Sequence, residues 1–450
     1  MLDKIKRIPG VRYLYRLPFL LSAYHLTLAF LGALVYGFPS RRLTVIGVTG
    51  TKGKTTTCNL IAHILNAAGM PTGLATTVNF RIRDREWSNT TRQTMLGRFQ
   101  LQKLLRAMVR AGCTHAVVET SSEGIRQYRH RFIRYHAALI TNLYPEHLDQ
   151  HGGLENYRAA KRKLFELIAR RPGSVGIYNL ADAHAEYFLA VPVATKYGYY
   201  LDTGNPAVGA AARDQMAEVL LADRLELGPA GTSLSVNGIV LTTRLVGEFN
   251  AANSLAAAAA ARAHGLSWNV IGAALAAAEP VAGRMEELKL GQPFRVLIDY
   301  AYDPSGLAAA LAATRIYQPR RTIVLTGIAA GHRDRWQRPA MGEVADRGAD
   351  VIVVTTDDPY QEDPALIIDQ VAAGALQNPR RKLGENIFKI VDRKEAIAKA
   401  LALAEPGDLV LLAGKGGETA MKINGRKVGW DERAVATEAL KAMGFRQPLA

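Results

Sequence analysis

The sequence is poor in cysteine, with Cys58 and Cys113 as its two cysteines among 450 residues. Two cysteines can form neither a disulfide framework nor a four-cysteine zinc module, and so low a number is typical of proteins from a reducing cytosol. Zinc-finger spacing, aromatic RNA-binding motifs and long runs of Lys or Arg are also missing. Although the formal net charge is +16, the basic residues are scattered, so we do not expect nucleic acid as a partner. Nucleotides, phosphorylated sugars and an acidic membrane surface are the anionic partners that this charge favours.

Charged residues are absent from residues 17–38, while basic residues flank this stretch on both sides. The stretch is long enough to cross a bilayer, but Pro18, Gly32 and Gly37 interrupt it, and cations on both flanks give it no orientation. An interfacial or re-entrant helix fits the pattern as well as a span, and a helix that packs on the protein's own surface is the alternative. A cleaved signal peptide is not expected, because no small-residue cleavage site follows. We therefore expect residues 1–40 to form an N-terminal segment with peripheral membrane contact.

A nucleotide-binding motif follows in residues 43–57, where a buried-strand pattern leads through a glycine-rich turn into a helical pattern. Gly50 and Gly53 let backbone N–H groups approach an anion. Lys54 then reaches the β- and γ-phosphates, and Thr55 offers its hydroxyl to Mg²⁺. A strict Walker A motif has a further glycine where this chain has valine, so the motif reads Gly-Thr-x-Gly-Lys-Thr-Thr. We expect ATP and Mg²⁺ as ligands, with ATP contacts at Gly50, Thr51, Gly53, Lys54, Thr55 and Thr56.

Short apolar runs alternate with helical stretches in the remainder of the chain, which is typical of α/β domains with parallel sheets. The expected buried strands are Val45–Val48, Ala116–Val118, Ala138–Ile140, Val296–Ile298, Ile323–Leu325, Val351–Val354 and Leu409–Leu412. Nearly every run ends in a motif residue, and ligands of open α/β sheets bind at the carboxyl ends of strands. With a boundary at residues 280–283, we predict a central P-loop ATPase-type parallel-sheet domain over 41–281 and a Rossmann-like α/β C-terminal domain over 282–450.

Short polar and glycine motifs follow one another through both expected domains. They are Glu119-Thr-Ser-Ser122, Thr141-Asn142 with His147-Leu-Asp149, Ala160-Lys161, Gly247-Glu-Phe-Asn250 with Asn253, Gly283-Arg-Met-Glu286, Asp299-Tyr-Ala301, Arg333-Asp334 with Arg338-Pro339, Asp357-Asp-Pro359, and Gly414-Lys-Gly416 with Glu418. In this order, behind the phosphate-binding motif, they resemble the Mur ligases, which add amino acids to peptidoglycan precursors. The tripeptide-forming branch of the family is the most similar, and the resemblance runs from residue 43 to the C-terminus.

The resemblance implies an ATP-dependent, ADP-forming acid–amino-acid ligase. The γ-phosphate passes to a carboxylate of a muramyl peptide, and the amine of an amino acid attacks the acyl phosphate to form an amide. The implied catalytic residues are Lys54, Lys161 and His147, with Lys161 carbamylated. The metal-ion candidates are Thr55, Glu119, His147 and Lys161. Without the resemblance, Glu119 could end a strand at the surface, a lone His147 could be structural, and Lys161 lies beside two further basic residues as in a solvated helix.

The resemblance also implies substrate contacts. Further ATP contacts are expected at Asn250, Asn253, Arg284 and Asp299, although either asparagine could instead cap a helix. Muramyl-peptide contacts are expected at Thr90, Thr91, Ser122, Gln127 and Arg129. Glu123 stands where the family usually has histidine, so the sugar-peptide is expected to be recognised differently. Tripeptide ligases carry an N-terminal UDP-binding domain for which the residues before the phosphate-binding motif leave no room, so we expect a UDP-linked or a lipid-linked donor.

The acceptor amino acid is expected to contact Arg338, Asp357, Asp358, Tyr360, Gly414 and Glu418. Diaminopimelate-adding members of the family read Asp-Asn-Pro-Arg, and their arginine can clamp the distal carboxylate of diaminopimelate. Here the motif reads Asp357-Asp358-Pro359-Tyr360, followed by Glu362 and Asp363. Because the arginine is missing and acidic residues surround its place, we predict lysine or ornithine rather than diaminopimelate. An ordinary solvated loop is the alternative.

Two other functions are compatible with parts of this pattern. One is another ligase of the superfamily, of the folylpolyglutamate or cyanophycin type, against which Thr90-Thr91 and Gln127 with Arg129 argue. The other is a membrane-attached P-loop ATPase or nucleotide sensor without ligase activity. For the muramyl-peptide ligase we expect a cytoplasmic location, at the inner face of the cell membrane if residues 1–40 bind lipid.

Overall fold

The computed structural model describes residues 18–91, 93–146, 148–202, 207–331 and 335–446. These residues form two compact units. The first lies within Met1–Tyr144, Glu155–Ala222 and Asn253–Ala274, and the second lies within Pro145–Leu154, Asp223–Ala252 and Leu275–Ala450. A large, mainly parallel sheet followed by a C-terminal α/β domain confirms the predicted fold class.

The sheet of the first unit is built around a central strand. Its strands are β1 (Thr44–Thr49), β2 (Thr72–Ala75), β3 (Asn79–Ile82), β4 (Arg85–Ser88), β5 (His115–Glu119), β6 (Tyr135–Ile140), β7 (Val175–Asn179), β8 (Thr195–Leu201) and β9 (Glu218–Gly228). They lie in the order β9-β8-β7-β6-β1-β5-β2-β3-β4, and β2-β3 and β3-β4 are the antiparallel pairs among them. Because the chain adds strands on both sides of β1, the carboxyl end of β1 is the topological switch point at which such sheets bind ligands.

The sheet of the second unit is parallel except at one edge. Its strands are β12 (Glu286–Glu287), β13 (Arg295–Asp299), β14 (Thr322–Thr326), β15 (Val351–Thr355), β16 (Ile387–Ile390) and β17 (Leu409–Ala413), in the order β12-β13-β17-β14-β15-β16. The pair β12-β13 is antiparallel. Of the remaining strands, β10 (Gly231–Val236) and β11 (Ile239–Thr243) form an antiparallel hairpin that continues the first sheet beyond β9. Strands β18 (Ala420–Ile423) and β19 (Arg426–Gly429) form a separate antiparallel hairpin.

The helices surround these sheets. They are α1 (Pro18–Val35), α2 (Lys54–Ala67), α3 (Arg98–Arg110), α4 (Ser122–Arg126), α5 (Leu148–His151), α6 (Leu154–Ala169), α7 (Ala185–Leu189), α8 (Ala210–Arg213), α9 (Glu248–Ala263), α10 (Trp268–Ala277), α11 (Pro304–Thr314), α12 (Gln337–Gly348), α13 (Pro364–Ala375), α14 (Arg393–Ala402) and α15 (Glu432–Ala442). Short 3₁₀ helices occupy Pro39–Arg42 and Arg315–Tyr317. An aspartate accepts a backbone N–H at the start of four of the helices, which explains where they begin; these are Asp303, Asp363, Asp392 and Asp431.

Buried strands account for the apolar runs of the sequence. In β13, Leu297 packs in one hydrophobic core, while its neighbours Val296 and Ile298 pack in the core on the opposite face of the sheet. A parallel sheet with both faces covered needs apolar residues at successive positions rather than an alternating pattern. All seven predicted strand cores lie within observed strands, namely β1, β5, β6, β13, β14, β15 and β17.

Helix α1 takes up most of the uncharged N-terminal stretch and packs on α3. Ala29 and Ala33 are buried, and a Cβ added at Gly32 would lie 3.3 Å from the carbonyl oxygen of Arg98. The outer face of α1 is apolar and exposes Phe19, Leu31, Leu34 and Val35. Among the described residues, none of the helices combines the length and the apolar character that a bilayer crossing requires. The structure thus contains the alternative considered above, a helix that packs on the protein's own surface.

A buried ion pair joins the first residues of α14 and α15. Arg393 Nη2 lies 2.6 Å from Glu432 Oε1, and the two side chains are 1% and 0% exposed. We predict that Arg393→Met lowers the free energy of unfolding by about 3–5 kcal/mol, because it leaves an uncompensated buried carboxylate. Urea unfolding followed by circular dichroism measures the change.

Lys394→Met is the matched control. Lys394 is the next residue, and its partner Glu438 lies 3.4 Å away in an exposed pair, so little change is expected. Equal unfolding midpoints for the two variants would show that the buried pair does not hold these helices together.

Candidate active site

The phosphate-binding loop lies between β1 and α2, and its glycines are required by close packing. Gly50 has a φ of 142° and Gly53 a φ of 78°. A Cβ at Gly50 would lie 1.9 Å from Thr141 Oγ1, and a Cβ at Gly53 would lie 2.1 Å from Asn253 Oδ1. A larger residue fits at neither position. Since α2 begins at Lys54, its first backbone N–H groups are available to an anion at this loop.

Two lysines contact the backbone of the loop. Lys54 Nζ donates to the carbonyl oxygen of Thr51 at 2.8 Å, and Lys161 Nζ donates to that of Gly50 at 2.7 Å. Lys161 is 1% exposed and lies 4.3 Å from the ring centroid of Tyr157. The alternative of a solvated helix lysine is therefore wrong, and the structure brings Lys161 to the predicted phosphate site.

Glu119 provides a buried carboxylate beside the start of α2. It is 2% exposed and accepts a hydrogen bond from Thr55 Oγ1 at 3.0 Å. The backbone N–H and the hydroxyl of Thr77 donate to the same carboxylate at 2.8 and 2.9 Å. Burial, together with the Glu119 charge, raises the pKa of the Cys58 thiol well above its ordinary value. The alternative of a surface glutamate is wrong, and Thr77 is a contact for which the sequence contains no signal.

The remaining residues predicted for the nucleotide site in the central domain are His147, Asn250, Asn253 and Thr56. His147 lies outside the described residues. Asn253 accepts a hydrogen bond from Thr57 Oγ1 at 3.3 Å, while Asn250 donates to the carbonyl oxygen of Val246 at 2.9 Å. Both asparagines lie inside α9, so neither is its N-cap residue. Thr56 is buried in the first turn of α2.

Arg284 and Asp299 lie together in the second unit, around Tyr300. The guanidinium carbon of Arg284 lies 4.4 Å from the ring centroid of Tyr300, and Asp299 Oδ2 accepts the backbone N–H of Met285 at 2.8 Å. The hydroxyl of Tyr300 donates to Glu418 Oε1 at 3.1 Å. Tyr300 thus connects Arg284 and Asp299, which are predicted ATP contacts, with Glu418, which is a predicted contact of the acceptor amino acid.

The predicted muramyl-peptide contacts lie in the first unit. Gln127 Oε1 accepts from Arg129 Nη2 at 2.7 Å, and its amide donates to Glu123 Oε1 at 2.6 Å. Ser122 is buried at the start of α4. Thr90 and Thr91 lie on an exposed turn, where Asn89 Oδ1 accepts from the Thr91 hydroxyl at 2.6 Å. Glu123 stands where the family usually has histidine. It accepts a hydrogen bond from Gln127, which is one of the predicted muramyl-peptide contacts.

Helix α1 is connected to this group of residues. Arg98 Nη2 donates to the carbonyl oxygen of Gln127 at 2.7 Å, and it also contacts Nδ1 of His25 in α1. Burial, together with the nearby Arg98 and Arg129 charges, lowers the pKa of His25 to about 4. The imidazole is therefore neutral near pH 7 and accepts a hydrogen bond from Arg98. Sequence reasoning missed His25 because it lies within an apolar stretch.

Lys415 is the centre of the predicted acceptor site. It is fully buried, and its Nζ lies 3.2 Å from Asp357 Oδ1, 3.0 Å from Asp358 Oδ1 and 2.5 Å from Glu418 Oε2. Oxygens of these three carboxylates lie within 4.8 Å of one another, close enough for a metal ion, but each contacts the ammonium group. Gly414 approaches the cluster so closely that a Cβ would lie 3.0 Å from Asp357 Oδ2.

The other acidic residues near Tyr360 are also paired. Arg338 Nη2 lies 3.0 Å from both carboxylate oxygens of Glu362, and Arg338 Nη1 donates to Gln370. Asp363 caps α13 by accepting the backbone N–H of Ala365 at 2.9 Å. The predicted acidic surroundings of Tyr360 are therefore present, and cations or backbone N–H groups of the same chain contact them. Arg338 is itself buried.

Comparisons with known proteins find matches to both domains of the chain. The chain matches the Mur ligase middle domain over residues 48–261 and the domain described as Mur ligase, glutamate ligase domain over residues 283–416. The UDP-N-acetylmuramyl-tripeptide synthetase of Roseiflexus sp. (strain RS-1) is 40% identical over 429 residues, which is 93% of this chain and 82% of the relative. The UDP-N-acetylmuramoyl-L-alanyl-D-glutamate--2,6-diaminopimelate ligase of Geobacillus kaustophilus (strain HTA426) is 39% identical over 93% of this chain and 83% of the relative.

Solved structures show the same fold. A UDP-N-acetylmuramoyl-L-alanyl-D-glutamate--2,6-diaminopimelate ligase structure is 29% identical, with a TM-score of 0.59 over 89% of this chain and 79% of that chain. The folylpolyglutamate synthase of Mycobacterium tuberculosis, at 19% identity and a TM-score of 0.69 over 94% of this chain and 96% of that chain, resembles it in fold alone. From its two domain matches and its curated relatives, the chain belongs to the Mur ligase family of ATP-dependent ligases.

Proposed function

We propose that this chain joins the carboxylate of a muramyl peptide to the amine of an amino acid, with ATP converted to ADP and phosphate, in the synthesis of peptidoglycan precursors. The observation that carries the proposal is the phosphate loop, where Lys54 and Lys161 contact the backbone beside the Thr55–Glu119 pair. The tripeptide synthetase and the diaminopimelate ligase among the relatives support the muramyl-peptide substrate.

The residues of the loop suit phosphoryl transfer to a carboxylate. Bound ATP would supply the phosphoryl group, and Mg²⁺ would neutralise charge on its oxygens. Thr55 and Glu119 would hold the ion, since a hydroxyl and a carboxylate at 3.0 Å match the oxygen ligands that Mg²⁺ prefers. Lys54 and the first N–H groups of α2 would hold the phosphates. The acyl phosphate formed on the donor would then react with the acceptor amine, and the chain's main contribution is positioning.

The proposed binding roles are divided among the domains of the chain. We assign residues 41–281 to a central ATP and donor domain, 282–450 to a C-terminal acceptor domain, and 1–40 to the N-terminal segment. The limits of the two family matches, 48–261 and 283–416, support the boundary. Asn250, Asn253, Arg284 and Asp299 are proposed to contact ATP, and His147 is proposed to contact the metal, as the family resemblance implies.

Assaying ADP release tests this function directly. UDP-linked and lipid-linked muramyl peptides are each combined with a series of amino acids, and the product is identified by mass spectrometry. The ligase requires both a muramyl-peptide carboxylate and an amino acid for ADP release. A P-loop ATPase without ligase activity would release ADP without either, and a folylpolyglutamate-type ligase would require a different carboxylate donor.

We predict that Lys54→Ala reduces the rate of ADP release at saturating substrate by about 10²–10³-fold, because it removes a positive charge from the phosphoryl transition state. The measurement is steady-state ADP formation. Lys103→Ala, which removes an exposed charge from α3, is the control and should leave the rate unchanged. Near wild-type turnover of Lys54→Ala would mean that this loop is not the catalytic phosphate site.

Lys161 is predicted to act as a carbamate, which would turn its cation into an anion beside the metal ligands. On that basis Lys161→Ala and Lys161→Arg are both inactive, and short carboxylates added to Lys161→Ala restore part of the ADP release. Lys163→Ala, a solvent-exposed neighbour on α6, is the control. Activity of Lys161→Arg without added carboxylate would instead assign the role to the positive charge itself.

The relatives do not support the predicted preference for lysine or ornithine. It rested on the acidic residues near Tyr360, and these residues have partners within the chain. Diaminopimelate ligases occur among the relatives.

Peripheral membrane contact through α1 is also proposed. Its outer face exposes large apolar side chains, among them Phe19, Leu31, Leu34 and Val35, while His25 on the same helix contacts Arg98 beside the proposed donor site. An amphipathic attachment of this kind would keep the donor site near the membrane, where a lipid-linked donor is found.

We predict that the protein floats with anionic liposomes and that the triple substitution Leu31→Ser, Leu34→Ser, Val35→Ser abolishes flotation, since it removes the apolar contact with the bilayer. Density-gradient flotation is the measurement. The control is Leu366→Ser, which removes an exposed leucine from α13. Equal flotation of all variants, or none for the wild type, would exclude α1 as an anchor.

A further inference from the structure

Three histidines lie together at the amino-terminal edge of the first sheet. His115 is the first residue of β5 and His136 is the second residue of β6, while His264 directly follows α9. The ring centroid of His264 lies 5.6 Å from that of His115 and 6.1 Å from that of His136. Two imidazoles bound to one tetrahedral zinc ion have ring centroids about 5 Å apart. The three rings are therefore close to the spacing of ligands that share a metal ion.

This histidine cluster is separate from the proposed nucleotide site. Glu119 is the last residue of β5, so it lies about 13 Å along the strand from His115. Strand β6 leads to Thr141 and α9 contains Asn253, and both of these residues pack against the phosphate-binding loop. The same three elements thus carry residues of the nucleotide site near one end and the histidines at the other end.

His264 has a buried nitrogen atom without a partner. Its Nδ1 lies 2.8 Å from the carbonyl oxygen of Ala260, so Nδ1 carries the proton and Nε2 keeps its lone pair. Within the described part of the chain, Nε2 is buried and has no hydrogen-bond partner. A bound ion is one of the explanations for such an atom. A hydrogen bond from Nδ1–H to a backbone carbonyl is also the arrangement that orients histidines as metal ligands.

His115 likewise keeps a nitrogen lone pair. Its Nδ1 lies 2.8 Å from the hydroxyl of Thr114, and this hydroxyl donates to the carbonyl oxygen of Pro71 at 3.4 Å. The hydroxyl therefore accepts the proton of Nδ1, and Nε2 of His115 remains unprotonated. Burial, together with His264 and His136, lowers the pKa of His115 to about 4. Burial also lowers the pKa of the other two histidines, and the neutral imidazole is the form that binds metal ions.

A β-bulge sets the position of His136. Where β6 pairs with β1, Tyr135 is opposite Val45 and Ala137 is opposite Ile46, and the register shifts between these pairs. His136 is thus an extra residue of β6 that has no opposite residue in β1. A bulge changes the direction of a side chain, and bulges are frequent next to functional sites.

The nitrogen atoms of the three rings do not yet meet at one point. Among the described residues, Asp357, Asp358 and Glu418 form a group whose oxygen atoms already lie within 4.8 Å of one another. Strands β5 and β6 lie on either side of β1, which places the Cα atoms of His115 and His136 about 10 Å apart. Two imidazole side chains span this distance, and His136 is exposed, so its ring is free to turn toward the other two.

The donor atoms determine the class of ion. Neutral imidazole nitrogens suit Zn²⁺, Cu²⁺ and Ni²⁺, whereas Mg²⁺ and Ca²⁺ prefer oxygen ligands. The cluster itself contains no carboxylate, and the nearby Arg134 charge adds to burial in lowering the pKa of His136. The lone pairs, rather than negative charge, would therefore hold the ion, in contrast to the Thr55–Glu119 pair proposed for Mg²⁺.

We infer that His115, His136 and His264 form a binding site for a divalent transition-metal ion, represented by Zn²⁺, which connects the end of α9 to strands β5 and β6. The site goes beyond the proposed ligase function and does not depend on it. An ion that binds the folded chain in preference to the unfolded chain raises the melting temperature.

Calorimetric titration of ZnCl₂ into metal-free protein tests the site, with excess MgCl₂ present to occupy oxygen-ligand sites. The wild type should bind one Zn²⁺ per chain. His115→Gln, His136→Gln and His264→Gln should each raise Kd by about tenfold or more, since residues that merely support metal ligands already contribute that much. His63→Gln is the matched control and should bind like the wild type. His63 also has a buried Nε2 without a partner and a hydrogen bond to the backbone of Ala274, but it lies outside the cluster.

Two further measurements identify the ligands and check the fold. CoCl₂ should give the visible absorption bands of a tetrahedral nitrogen site with the wild type and with His63→Gln, but not with His264→Gln. Zn²⁺ should raise the melting temperature of the wild type and leave that of His264→Gln unchanged. If His264→Gln does not fold in EDTA, His136→Gln decides, because it changes the exposed member of the cluster.

No Zn²⁺ binding by the wild type, or the same Kd for the wild type and the folded cluster variants, overturns the site. These measurements use neither ATP nor a muramyl peptide, so failure of the ligase proposal leaves their outcome unchanged.

Discussion

The nucleotide site depends on the absence of side chains at two positions of the loop after β1. Gly50 and Gly53 approach Thr141 and Asn253 so closely that any Cβ would overlap an oxygen atom. Thr141 follows β6 and Asn253 belongs to α9, so the loop is clamped between two elements distant in sequence. The packing therefore fixes the direction of the backbone N–H groups before a phosphate arrives, which is the preorganisation that phosphoryl transfer needs.

Charge in the second unit is organised by pairing rather than by composition. Arg393 with Glu432, and Lys415 with its three carboxylates, bury ions that would otherwise be costly. The partners in these pairs lie far apart in the sequence, so the fold decides which charges meet.

Much of the fold could be predicted because its signals are local. Apolar runs indicated the strand cores, since both faces of the parallel sheets are buried, and the glycine-lysine-threonine turn indicated the start of α2. Side-chain partners could not be predicted in the same way. Asp358 and Lys415 are 57 residues apart, so a local charge count did not include the buried ammonium group that contacts the acidic motif. Lys161 looked solvated because its neighbours are basic, yet its own side chain points inward to Gly50.

The packing of α1 limits which substitutions its two faces can accept. One face holds Gly32, where an added Cβ would already press on the backbone of α3, and the small buried residues Ala29 and Ala33. The other face meets no such steric limit. Variation along this helix should therefore follow a period of about 3.6 residues, with small residues retained inward and apolar residues of any shape exchanged outward. Substitutions on the inner face are limited by packing beside Arg98. Substitutions on the outer face are limited by the surface that this face contacts.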